Sequence, residues 1–253
     1  MKKHVYSFAE GDGHNKKLLG GKGANLCEMT QIGINVPPGF VITTEACLDY
    51  LDGDGLPDSL MSEVQDQIAQ LEKATGKTFG KGPDPLLVSV RSGSALSMPG
   101  MMDTVLNLGL NEETLAGLIE QTGDERFAYD AYRRFIQLFG KVALGIADEY
   151  FDEHFDAVKK RVGVKADVGL DASHLKEISN AFLDVVRRQS GSDFPHNVMQ
   201  QLQLAVEAVF RSWMGKRAVD YRREFHITPD MANGTAVNIC TMVFGNKGDD
   251  CAT

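Results

Sequence analysis

Apolar positions follow two different rhythms along this chain. Before Asn111, short apolar runs alternate with glycine and proline breaks. Leu60, Val64, Ile68 and Leu71 recur at helical spacing, which predicts a helix from about Ser59 to Ala74, ended by Gly76. Ala24 to Gln31, with Leu26 and Met29 three apart, predicts another, stopped by Gly33, with Gly20 to Gly23 as a glycine-rich loop in front. Phe40-Val41-Ile42-Thr43, behind the rigid turn Val36-Pro37-Pro38-Gly39, reads as a short buried strand. Leu86 to Arg91 and Thr104 to Leu108 are the next strand candidates.

From Asn111 the rhythm becomes helical throughout. Asn111 is placed to cap a helix closing near Gly123. Stripes follow at Phe127, Ala131, Phe135, Leu138 and Val142, then at Phe151, Phe155, Val158 and Val162. Leu175, Ile178, Phe182 and Val185 form another, and Val198, Leu202, Val206, Val209 and Trp213 the last. Consecutive amphipathic helices with no strand between them predict a helical subdomain set into an α/β frame. Thr235 to Phe244 then alternates, with Val237, Ile239, Thr241 and Val243 on one face and Ala236, Asn238, Cys240 and Met242 on the other, as a strand does. Gly245-Asn246-Lys247-Gly248 follows as a hairpin turn, with a return strand beginning near Cys251. The sequence shows no partner for this strand, and the pattern reads as a severed hairpin in a piece of a longer protein.

Composition narrows the function classes. At 43% hydrophobic and 24% charged residues the chain is globular, not disordered. A net charge of −9 argues against a nucleic-acid backbone binder and against a basic membrane anchor. Any anionic ligand must therefore be held by a local cluster of cations and backbone N–H groups. No apolar run approaches the roughly 20 residues that cross a bilayer. Cys27, Cys47, Cys240 and Cys251 are scattered, with no C-x-x-C pair, and read as reduced thiols of a cytoplasmic protein.

Two loops carry candidate chemistry. In Leu19-Gly20-Gly21-Lys22-Gly23-Ala24-Asn25 the glycines allow close backbone approach, the helix behind offers free N–H groups and Lys22 adds charge, which suits a phosphate. It is not a Walker A loop, because Gly23 stands where Ser or Thr is required. A plain turn with an exposed lysine accounts for the same residues equally well. The second loop runs from Arg91, at a strand end, through Ser92 to Thr104. Strand-end loops bind ligands in α/β folds, and arginine offers a forked donor to phosphate oxygens. Leu96, Met98, Met101 and Met102 suit a loop that closes over a ligand or partner, a reading we favour over their tucking into the core. The arginine pairs Arg133-Arg134 and Arg222-Arg223 and the acidic run Asp148 to Asp156 read as solvated or ion-paired helix faces. No histidine stands beside a recognisable nucleophile, and no paired carboxylates mark a metal site.

Gly20-Gly21-Lys22-Gly23, Val36-Pro37-Pro38-Gly39-Phe40 and Val88-Ser89-Val90-Arg91-Ser92-Gly93 occur in the order seen in the nucleotide-binding domain of the pyruvate, phosphate dikinase family, which the chain resembles along its whole length. Ser97-Met98-Pro99-Gly100-Met101-Met102-Asp103-Thr104 separates it from the related phosphoenolpyruvate synthases. Phe127-Ala128-Tyr129-Asp130, Tyr132 to Gln137 and Thr241-Met242-Val243-Phe244-Gly245-Asn246 also resemble that family.

The resemblance implies an α+β, ATP-grasp-like fold. Residues 1–110 would form the first lobe, 111–212 an inserted helical subdomain and 213–253 the start of an incomplete second lobe. It implies conversion of ATP, phosphate and pyruvate into AMP, pyrophosphate and phosphoenolpyruvate. A phosphoryl group would pass first to a histidine on a separate domain, and then to pyruvate on a third. Carried over by residue, Lys22 and Arg91 would contact the ATP phosphates, and Gly21 and Gly23 would shape the phosphate loop. Gly100 and Met102 would lie in a closing loop, and Thr253 would begin another. Thr241, Met242 and Val243 would sit near the adenine, where Cys240 replaces the family's usual Gln. Mg²⁺ is implied, with its ligands beyond the end of this chain, and a homodimeric full-length enzyme stays open. The alternative is a non-catalytic remnant that folds and at most binds nucleotide.

Overall fold

The computed structural model describes residues 2–53 and 55–245. Five strands form one antiparallel sheet: β1 (Val5–Ser7), β2 (Gly39–Ile42), β5 (Val88–Gly93), β6 (Thr104–Leu108) and β7 (Ala236–Thr241), in the order β1-β2-β7-β5-β6. Two short parallel strands, β3 (Thr78–Phe79) and β4 (Pro85–Leu86), stand apart from it.

The sequence left β7 without a partner, but it is the central strand. It pairs with β2 from Gly39↔Cys240 to Ile42↔Val237, and with β5 from Val88↔Thr241 to Gly93↔Ala236. Its partners lie far back in the chain, so no local pattern announces them. Its two faces serve different cores. Val237 and Ile239 belong to the main core, whereas Ala236 and Cys240 meet Leu19, Ala24, Cys27 and Val41 in a smaller one. The strand ends at Thr241, and Met242 packs against the main core, so the expected alternation to Phe244 stops early. Residues 246–248 of the expected hairpin and Cys251 of its return strand lie outside the described residues.

Helix α1 (Lys16–Gln31) covers the smaller core. Helix α2 (Thr44–Asp52) was not foreseen; its N-cap Thr43 accepts the Ala46 N–H at 3.3 Å. Helix α3 (Leu60–Thr75) ends at a left-handed Gly76 as its pattern predicted. The helical half comprises α4 (Glu112–Thr122), α5 (Glu125–Val142), α6 (Asp148–Val162), α7 (Ala172–Ser190), α8 (Val198–Ser212) and α9 (Lys216–Glu224). Asn111 caps α4, accepting from Thr114 N–H at 2.9 Å while its own N–H donates to Thr114 Oγ1 at 2.7 Å.

One continuous apolar core joins Val90, Val237 and Ile239 of the sheet to Phe135, Val206 and Phe210 of the helices. Phe135 meets Phe139 and Phe194 with ring centroids 5.6 and 5.5 Å away. Gln201, fully buried on α8, stitches α8 to the end of the sheet. Its Nε2 donates to the Leu110 and Pro195 carbonyls at 3.0 and 2.8 Å, and its Oε1 accepts the Gly109 N–H at 3.2 Å. Among the described residues no helix is long and apolar enough to cross a membrane.

Phe135 is fully buried at the centre of the aromatic group. Phe135→Ala should destabilise the fold by about 3–5 kcal/mol, the range for emptying a buried aromatic site, read as a lower urea midpoint with an unchanged slope.

Candidate functional site

The glycine-rich stretch is not a loop in front of a helix. It lies inside α1, which is broken at Gly20 (φ 68°, ψ 163°) and resumes at Gly21. A side chain on Gly20 would fall well inside contact distance of the Gly93 carbonyl oxygen, so only glycine lets the helix lie on the end of β5. The Gly21 N–H donates to the Ser94 carbonyl at 2.8 Å, and Lys22 Nζ to the Ser92 carbonyl at 3.2 Å. Gly23 faces the other way. It is buried, and a Cβ there would lie 2.8 Å from Asn238 Oδ1 and 3.0 Å from the Val41 methyls. Gly21 and Lys22 thus line an open cleft of about 580 Å³, and Gly23 packs beneath it.

Arg91 is exposed near the end of β5, paired across the sheet with Asn238 on one side and Thr104 on the other. Its charge reaches Lys22. Partial burial first, and Arg91 second, hold the Lys22 ammonium below the ordinary lysine range, with the Cys240 thiol acting in the opposite sense. Burial pushes that thiol up to about 11, against the pull of Arg91 and Lys22. Among the described residues neither cation has an acidic partner. By contrast, Arg133 pairs with Asp130 and Asp167 at 2.7 and 2.9 Å, and Arg161 with Glu177 at 2.6 Å.

The far wall of the cleft is the segment Ser92–Thr104. Its apolar side chains serve both readings weighed from sequence, for Leu96, Met98 and Met102 line the cleft and also reach the core. Met98 belongs to the main core at 5% exposure, and Leu96, Met101 and Met102 pack against that core. Apolar side chains in a short polar loop lower their free energy by burial wherever the core is within reach. Gly100 and Met102 nonetheless line the cleft. Arg217 on α9 ties this wall down, donating to the Gly100 carbonyl and to Asp103 Oδ1, both at 3.2 Å.

Thr241, Met242 and Val243 stand elsewhere. The Thr241 N–H and hydroxyl both donate to the Pro38 carbonyl, at 3.0 and 2.9 Å, and the Met242 N–H to Leu87 O at 2.8 Å. Met242 and Val243 line a second cavity of about 370 Å³ with Asn107, Phe127 and Arg134. Thr253 lies outside the described residues. Three contributors were missed in sequence: Arg217, Asn107 (φ 58°) and Asn238. Only Asn238 left a signal there, as a polar residue in an otherwise largely apolar strand. Among the described residues no three His, Cys, Asp or Glu side chains come together to hold a metal ion.

The model of the pyruvate phosphate dikinase AMP/ATP-binding domain matches residues 16–65 and 56–252. The chain belongs to this family. It is 56% identical over 250 residues to a pyruvate, phosphate dikinase of Entamoeba histolytica, covering 98% of this chain and 28% of that protein. It is 48% identical over 255 residues to one of Clostridium symbiosum, covering 100% of this chain and 29% of that protein. A third, of Giardia intestinalis, is 50% identical over 238 residues, covering 94% and 27%. The chain therefore spans well under a third of the length of these relatives. In this dikinase-family domain, Gly20 is the conformational key to the cleft. Gly20→Ala should cost at least the roughly 1–3 kcal/mol of a non-glycine residue held at positive φ, visible as a lower melting temperature.

Proposed function

We propose that the chain is the ATP-binding part of a pyruvate, phosphate dikinase, converting ATP, phosphate and pyruvate into AMP, pyrophosphate and phosphoenolpyruvate. The observation that carries this reading is the pair Lys22 and Arg91, two neighbouring cations with no acidic partner among the described residues, in a protein of net charge −9. Other cations, such as Arg133 and Arg161, are paired with carboxylates. Lys22 lines the cleft and Arg91 acts on it from nearby, an arrangement that an anionic ligand completes.

Phosphoryl transfer consists largely of positioning and charge neutralisation. On this reading Lys22 and Arg91 hold the ATP phosphates against the Gly21 wall, and the Gly100–Met102 segment confines them from the opposite side. The architecture is ATP-grasp-like, with 1–110 and the central strand β7 as the first lobe and 111–212 as the helical insertion; the second lobe expected from 213 onward excludes β7, which completes the first sheet. The adenine lies towards Met242 and Val243. The phosphoryl group then leaves for a histidine on another domain of the longer enzyme, and from there for pyruvate. Mg²⁺ would enter with the nucleotide phosphates. The free thiols Cys27, Cys47 and Cys240 suit a reducing, cytoplasmic setting.

Calorimetric titration of Mg·ATP into the purified chain tests the site. Lys22→Ala and Arg91→Ala should each weaken binding by about 1.5–3 kcal/mol, the range for hydrogen bonds to charged groups. Unchanged affinity in folded variants would remove both residues from the nucleotide site. The chain alone should also form no AMP in a pyruvate-dependent manner, because the two acceptor sites belong to other domains. Such turnover, measured with pyruvate present and absent, would refute that division of labour.

A further inference from the structure

Asn238 is fully buried at the middle of the central strand, opposite Val41 on β2 and Arg91 on β5. Its Nδ2 donates to the Arg91 carbonyl at 3.3 Å. Its Oδ1 is buried with no partner among the described residues. An unsatisfied buried acceptor is a standing cost to folding that an apolar side chain would avoid. The surroundings explain its presence. A Cβ on Gly23 would lie 2.8 Å from Oδ1, and one on Gly93 would lie 2.6 Å from Nδ2. The amide is thus pinched between the glycine that follows Lys22 and the glycine two residues beyond Arg91. Planar and thin, it fits a gap that a branched side chain would force open.

We propose that Asn238 is a positioning residue. Its amide, wedged between α1 and β5 and tied to the Arg91 backbone, sets the separation of the Lys22 ammonium and the Arg91 guanidinium. It thereby sets the spacing of the phosphate oxygens that the two cations can hold together. The ligand named rests on the nucleotide reading above; the positioning itself does not. The groups acting on Lys22 are Arg91 and Cys240, and both remain in every variant below except where stated.

The test uses the full chain, native, as Asn238→Ala and as Gly93→Ala. The methyl added at Gly93 meets the Asn238 amide first, with Lys22 Cβ next at 3.5 Å, so it displaces the amide without deleting it. The first readout needs no ligand: the titration of Lys22 followed by NMR of ¹³C-labelled lysine. In both variants Lys22 should titrate closer to the ordinary lysine value, because the like charge beside it is no longer held in place. A Lys22 titration left where it was in the folded variants overturns the proposal. Gly93→Ala decides the matter if Asn238→Ala does not fold. The second readout is Mg·ATP affinity, which should fall by about tenfold or more in each variant. In a Lys22→Ala background the further effect of Asn238→Ala should shrink to less than about twofold, because a residue acting through Lys22 couples to it in a double-mutant cycle. Full additivity in that cycle also overturns the proposal. If the native chain binds no Mg·ATP, the nucleotide reading falls, and the lysine titration still decides the role of Asn238.

Discussion

Helix α1 lies against the end of β5 with almost no side chain between the two backbones, and the cleft depends on that close approach. Gly20 takes a left-handed conformation that breaks the helix and brings it over the Gly93 carbonyl. The Gly21 N–H and the Lys22 ammonium then find the Ser94 and Ser92 carbonyls just beyond. Beneath them Gly23 rests on Asn238 and Val41. Any Cβ at Gly20 or Gly23 would lift the helix and carry Lys22 away from Arg91. The glycine-rich stretch therefore acts here less as a flexible loop than as a flat face allowing two rigid elements to touch.

The electrostatics follow from that geometry. Two cations held side by side raise each other's energy, and partial burial raises it further, which is why Lys22 binds its proton less tightly than an ordinary lysine. Arg133, almost fully buried, meets such a cost with Asp130 and Asp167. At the cleft no carboxylate among the described residues does so, although the chain carries 35 Asp and Glu against 26 Lys and Arg. On the proposed reading an anionic ligand would relieve this cost, which is the electrostatic form of preorganisation.

The opposite wall is built on a different principle. Ser92–Thr104 is polar where it meets the cleft and apolar where it meets the core, with Met98 buried and Met101 and Met102 partly so. Arg217 reaches from α9 to hold its far end. The helical half, through α9, thus helps to shape a site whose charged residues all come from the sheet and α1.

Much of the chain was legible without its structure. Helix α3, the Asn111 cap and the four later stripes obey a 3.6-residue period that local packing enforces, and Thr104–Leu108 was placed to the residue. Gly21, Lys22 and Arg91 were singled out because phosphate chemistry draws on few residue types, and the structure sets the first two in the wall of the cleft and Arg91 near Lys22. Gly20 was recognisable as a glycine, but not as a break inside a helix. Tertiary structure decided what spacing cannot encode. It set β7 between two strands from much earlier in the chain, turned Gly23 and Asn238 inward, and sent Met98 into the core. It also separated Met242 and Val243 from the cleft that holds Lys22. The reason is the same in each case: periodicity reports which face of an element is apolar, whereas the neighbour that covers that face is chosen by the closing of the whole fold.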